Sequence, residues 1–189
     1  MVHSAAKTLT LEEFLKLPET KPASEYIDGR ILQKPMPQGK HSTIQGELVS
    51  TINSLVKSQR IALAFPELRC TFGGRSIVPD VAVFAWERIP LDENGDVANV
   101  FDAAPDWTIE ILSPDQSQTK VTGNILHCLN HGSRLGWLIA PDERSVLVYP
   151  PEQQPELLEE PTQVVPVPDL VADLRLTVGD LFSYLKLAG

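Results

Sequence analysis

The chain has 189 residues, 42% of them hydrophobic, and a formal net charge of −9. That length suits one domain with a proper core, and the acidic balance excludes a general nucleic-acid coat. No apolar run approaches the roughly 20 residues of a membrane span, and the start "MVHSAAKTLTLEEFLKL" has neither the charged beginning nor the long apolar stretch of a signal peptide.

The charge is uneven. Residues 1–75 carry 10 Lys/Arg against 7 Asp/Glu, and the remainder carries 6 against 18. A polyanion contact would therefore be local, drawing on Lys34, Lys40, Lys57, Arg60, Arg69 or Arg75, although each taken singly reads first as a cation on a solvated face. Cys70 and Cys128 have no metal-ligand spacing. They read as two buried thiols in a reducing compartment, which makes the cytoplasm the expected location.

In chain order, Thr10 with Glu13 three residues on forms a capping box that opens a short helix. "SEYIDGRILQKPMP" predicts a hairpin turning at Asp28-Gly29. Ile44, Leu48, Ile52, Leu55 and Val56 recur at helical spacing in the following segment. "RIALAFPELRCTFGG" reads as a strand with a Pro-Glu break, turned by Gly73-Gly74, and "SIVPDVAVF" as the next strand. A polar loop from Glu87 to Pro105 precedes "DWTIEIL", a strand apolar on both sides of Glu110. A helix follows Ser113-Pro114 with Val121, Ile125, Cys128 and Leu129 as its face and Gly132 at C′. "LGWLIAP" and "VLVYP" pair as a hairpin across "DERS", a proline- and acid-rich stretch reads as irregular, and "LTVGDLFSYLKL" closes the chain as a helix.

This order predicts an α/β fold with one central mixed sheet flanked by helices and an N-terminal hairpin. The single domain spans 1–189, with its core at about 24–150 and the N-terminal helix, the irregular segment and the last helix as appendages. The strand edge at "VLVYP" could pair with a second copy, so a homodimer is expected.

Two acids stand out because they lie in apolar strands. Burying an ionised carboxylate is costly without a compensating cation or several donors. Asp80 follows Pro79, which limits pairing and lets neighbouring strands diverge into a notch. Asp80 and Glu110 converging on such a notch would form an oxygen site for a hard divalent cation that acts on phosphate. The alternative is that these acids cap turns or pair with Arg75 and Arg69.

"VPDVAVF", then "TIEILSP" about thirty residues on, then a helix and "GWLIAPDERSVLVY" resemble the Uma2 (DUF820-type) family of restriction-type endonucleases, abundant in cyanobacteria, with the PD-(D/E)xK nuclease fold. "SEYIDGRI", "KHSTIQGEL" and "VPDLVADLRLTVGDLF" extend the likeness over roughly residues 10–182. The resemblance implies a restriction-endonuclease-like fold and a Mg²⁺-dependent (or Mn²⁺-dependent) DNA endonuclease. It makes Asp80 and Glu110 metal ligands and offers Glu67 as a third, with Glu25 and His41 near the site. For Glu25 the alternative is a cross-strand pair in the hairpin, and for His41 a helix N-terminal residue facing water.

The chain departs from the family pattern in two places. Leu112 takes the strand-lysine position, and the family tends to move that lysine to the next helix. Lys120 is the only lysine between Glu110 and Lys186, whereas the alignment points nearer Gly123 or Asn124. Ala140-Pro141 stands where the family often has Asp-Pro. The rival expectation is therefore a catalytically degenerate nuclease-fold protein that binds nucleic acid or a protein partner.

Overall fold

The computed structural model describes residues 9–114 and 116–187. Among the described residues there are four α-helices: α1 (Leu11–Leu15), α2 (Gly39–Val56), α3 (Gln118–Leu129) and α4 (Val178–Ser183). Ten strands follow one another as β1 (Ser24–Ile27), β2 (Arg30–Gln33), β3 (Ala62–Pro66), β4 (Cys70–Phe72), β5 (Arg75–Ile77), β6 (Val81–Ala85), β7 (Trp107–Ile111), β8 (Leu135–Ala140), β9 (Ser145–Tyr149) and β10 (Glu156–Leu158).

The strands form the central mixed sheet expected and, built on the N-terminal hairpin, a second and smaller sheet that the element order does not predict. A six-stranded mixed sheet has the order β10-β9-β8-β7-β6-β3, and a four-stranded antiparallel sheet has the order β2-β1-β5-β4. Only β7 and β8 run parallel, and parallel neighbours need a crossover, which α3 supplies. "RIALAFPELRCTFGG" and "SIVPDVAVF", each read as one strand, are split between the sheets. β3 leaves the large sheet and continues as β4 in the small one, and β5 returns as β6. Pro79 sits at the second crossing and has no N–H to donate to either ladder. Glu67, at φ 47°, bends the chain at the first.

β6 and β7 are buried along their whole length because both faces of the large sheet are covered. On one face Val81, Val83, Trp107, Ile109, Ile111, Trp137 and Ile139 pack with Ile44, Leu48 and Ile52 of α2. Each of those α2 side chains is fully buried and contributes about 2 kcal/mol relative to exposure. On the other face, Val121 and Ile125 of α3 pack on Leu138.

The capping box at Thr10 and the Asp28-Gly29 turn are present as expected, the turn having φ 49° and 81°. The C-terminal region is not an appendage. Val165, Val171, Leu174, Leu176, Val178, Leu181 and Phe182 complete the α2 side of the main core. Its acidic stretch is also less irregular than expected, since β10 forms within it and pairs with β9. "VLVYP" is therefore covered on both sides and offers no edge to a second chain. Among the described residues no helix is long and apolar enough to cross a membrane.

Candidate active site

β6 and β7 pair antiparallel with Val81 opposite Ile109 and Ala82 opposite Thr108. Extending that register by one residue sets Asp80 opposite Glu110, on the face turned toward α3. Asp80 has just left the small sheet at Pro79, so its carboxylate points into the gap between the sheets. The Ile111 N–H donates to Asp80 Oδ2 at 2.7 Å, which ties the two strand ends together. Asp80 and Glu110 are each 1% exposed.

The cation between them is Lys34. Its N–H donates to the Ala23 carbonyl at 2.9 Å and prolongs the β1–β2 ladder by one step. Its Nζ lies 2.6 Å from Asp80 Oδ1 and 3.5 Å from Glu110 Oε2, and donates to the Val78 carbonyl at 2.6 Å. Glu25 pairs with Leu32 across the hairpin, and Lys34, two residues beyond Leu32, shares its face. Inward burial of Glu25 thus turns Lys34 inward too.

One ammonium serves two carboxylates, and their protonation separates accordingly. Burial raises the Asp80 pKa, but Lys34 and the hydrogen bond from His41 outweigh it and hold this carboxyl well below its usual range. Burial also raises the Glu110 pKa; Lys34 offsets only part of this, and the nearby Asp80 and Glu25 add to it, so Glu110 titrates well above its ordinary value. Burial pulls the Lys34 ammonium down, yet Glu110, Asp80 and Glu25 together push its pKa above the usual lysine value. Two like charges this close cannot both ionise freely. Glu110 Oε1 is buried and has no hydrogen-bond partner among the described residues.

His41, one turn before Ile44, and Gln45 beside Ile44 lie at the N-terminal end of the buried stripe of α2, so the face that meets the core ends in polar groups at Asp80. His41 Nε2 is 3.1 Å from Asp80 Oδ2, and since an ionised carboxylate only accepts, this nitrogen carries the proton. Gln45 Nε2 donates to the Asp80 carbonyl at 2.7 Å. His41 is buried rather than facing water.

Glu25 accepts from the Val78 N–H at 2.8 Å and faces Asn124 Nδ2 at 3.1 and 3.3 Å. It pins the hairpin to the strand crossing and to α3. Glu67 is different: its backbone N–H donates to the Asp80 carbonyl at 3.1 Å, but its side chain is exposed and does not join the pair. Among the described residues no group of three or more His, Cys, Asp or Glu side chains could hold a metal. Arg69 and Arg75, the alternative partners, bind Glu19 and Asp28 instead.

Lys120 is exposed in the first turn of α3. It borders a cleft of about 410 Å³ between the hairpin and α3, together with Glu25, Lys34, Pro35, Ser117 and Asn124. Gly123 and Asn124 stand near where the alignment placed the helix lysine, and Lys34 brings an ammonium to the carboxylates from the opposite wall. Sequence reasoning weighed Lys34 only as a surface cation. The hairpin register beside an inward Glu25 was the signal that could have found it.

The model of the Uma2 family, described as "Putative restriction endonuclease", matches residues 11–179. A crystal structure of a putative nuclease belonging to DUF820 from Anabaena variabilis is 67% identical, with a TM-score of 0.93, covering 94% of this chain and 99% of that one. No curated protein matches. With the sheet order, the paired strand-end acids and a match over most of its length, the chain belongs to the Uma2 family of nuclease-type proteins.

Proposed function

We propose that the protein hydrolyses DNA phosphodiester bonds as a divalent-cation-dependent endonuclease. The observation that carries this reading is the buried pair Asp80 and Glu110, set opposite each other at a strand end and sharing one cation. The donor set fits Mg²⁺ or Mn²⁺: two carboxylates suffice for Mg²⁺, which keeps several waters, and Glu110 Oε1 is a buried acceptor with no hydrogen-bond partner among the described residues. Asp80 and Glu110 would hold the ion. Such an ion, once bound, supplies Lewis acidity toward a phosphoryl oxygen and acidifies water.

The chain's own residues do the rest. His41 and the Ile111 N–H fix Asp80 Oδ2, and Gln45 and the Glu67 N–H fix the Asp80 carbonyl, so this carboxylate is held in one orientation. Lys34 supplies the positive charge that a strand lysine would otherwise bring to a phosphate, and Lys120 lies further along the same cleft. Preorganised charge of this kind is commonly worth about 3 kcal/mol of barrier.

A second reading has its own support. The carboxylates already bind the protein's own ammonium, and Gly123 and Asn124, near which the helix lysine aligns, are both neutral. On that reading the fold binds nucleic acid or a partner protein without cleaving. Incubation of plasmid and duplex DNA with Mg²⁺ or Mn²⁺ separates the two. The first predicts nicking or linearisation by the parent and none by Asp80→Ala. Absence of cleavage by the parent with either ion would replace it with the second.

A further inference from the structure

Resting on that reading, we propose that the Lys34 ammonium and the divalent ion exclude each other, and that loading the site moves Lys34 into the neighbouring cleft to meet a phosphate. Nζ engages Asp80 Oδ1 and the Val78 carbonyl at 2.6 Å each and faces Glu110 Oε2 at 3.5 Å. Asp80 Oδ2 already accepts from His41 and the Ile111 N–H, so a divalent ion of the magnesium class held by this carboxylate would take Oδ1 at about 2.1 Å, where it would fall against Nζ. Neither contact distance nor charge permits an ammonium and a dication to share that seat.

The widest way out for the ammonium lies on one side. Over Asp80, among Pro37, His41, Glu67 and Ser113, there is about 10 Å³, room for roughly one water. On the other side is the cleft of about 410 Å³. The tether suits such a swing. β2 is the outer strand of the small sheet, paired only with β1 and mostly exposed. In the cleft Lys34 would join Lys120. The one buried acid there, Glu25, already accepts from Val78 and Asn124, so the displaced charge remains available to a phosphate.

Metal and phosphate then favour the same Lys34 position, and their affinities are linked. The mechanism has a consequence for metal binding alone. If the ammonium fills the carboxylate seat in at least about 90% of metal-free molecules, apparent affinity is lowered at least about tenfold. Calorimetric titration of Mn²⁺ at pH 8, where proton competition at the ligands is weak, should therefore show Lys34→Gln binding at least about tenfold more tightly than the parent. Equal or weaker binding by the variant would overturn the exchange and leave the metal reading standing. No binding to either protein would overturn both.

A second measurement needs no variant. Reductive methylation of the parent, read by peptide mass spectrometry, should modify Lys34 slowly in chelator and several-fold faster with Mg²⁺, while the exposed Lys120 changes little. Lys34 remaining protected at saturating Mg²⁺ would equally overturn the exchange.

Discussion

Strand β7 carries a buried acid near each end, and the two are treated in opposite ways. Asp106, just before the strand, is as buried as Glu110 near its far end. The carboxylate of Asp106 is saturated. Arg134 Nε meets Oδ1 at 3.0 Å, while Arg88 Nη1 at 2.7 Å and the Ala85 N–H at 2.8 Å meet Oδ2. Two guanidinium groups serve one carboxylate there, whereas at the other end one ammonium serves two. The contrast separates an acid that closes a structure from a pair in which Asp80 is met by Lys34, His41 and the Ile111 N–H while Glu110 is left in deficit. A charge fully compensated by the fold has nothing left to offer a ligand, and an under-compensated one does.

The comparison can be broken most strongly at Asp80. Asp80→Ala removes a metal-bearing oxygen and should lower DNA cleavage by on the order of a thousandfold or more, since Lewis-acid stabilisation is worth several kcal/mol. Cleavage by the variant within tenfold of the parent would show that the deficit at this end is incidental.

At the saturated end the effect should fall on stability. Asp106→Ala leaves two cations and the Ala85 N–H without their acceptor. Removing one partner of a fully buried pair costs 3–5 kcal/mol, but the Arg88 and Arg134 side chains are 32% and 49% exposed and can rehydrate. A loss of about 2–4 kcal/mol is expected, read from urea unfolding as a lower midpoint at unchanged slope. A variant as stable as the parent would contradict the structural role of Asp106.

Glu110→Gln should do the reverse and stabilise the metal-free protein by about 1 kcal/mol at pH 8, because Lys34 and Asp80 then form a balanced pair. The pH dependence carries the sign. Folding raises the Glu110 pKa, so the native state favours its protonated form. The parent therefore loses stability as pH rises from about 4.3, the unfolded value, toward the raised native value, and the advantage of the Gln variant should open over that interval. Asp80 shifts the other way: its contribution is present above about 3.9 and is lost only as pH falls toward its depressed native value. Melting curves from about pH 2 to pH 8 test both signs. Added Mg²⁺ should then stabilise the parent but not the Gln variant, and equal shifts in both would remove Glu110 from the metal site.

The smallest effect is expected at Lys120. Lys120→Ala should leave stability within about 0.5 kcal/mol and reduce cleavage less than Lys34→Gln does. A larger loss at Lys120 than at Lys34 would return the catalytic ammonium to the helix.

Local signals were legible wherever one residue's chemistry sets the geometry: the Thr10 capping box, the Asp28-Gly29 turn, the two-residue pleat that singled out Glu110, and the helical stripe of α2. Asp80 and Glu110 were legible as a pair because apolar strands make a carboxylate conspicuous. Asp106 was not, since its arginines lie at Arg88 and Arg134 and no local pattern joins them. The division into two sheets was also hidden. Hydrophobic patterning is the same on either side of Pro79, and only packing decides which ladder each half joins.

Spacing along the chain was enough to identify the family, the run of elements and the two strand-end acids. Which cation faces those acids depended on how the chain packs. The order of residues favoured Lys120, ten positions from Glu110, yet the ammonium comes from Lys34, 46 residues before Asp80. The hairpin lies against the strand crossing, and Glu25 fixes which of its faces turns inward. Distance across a sheet boundary, rather than separation in sequence, governs the field at a buried carboxylate.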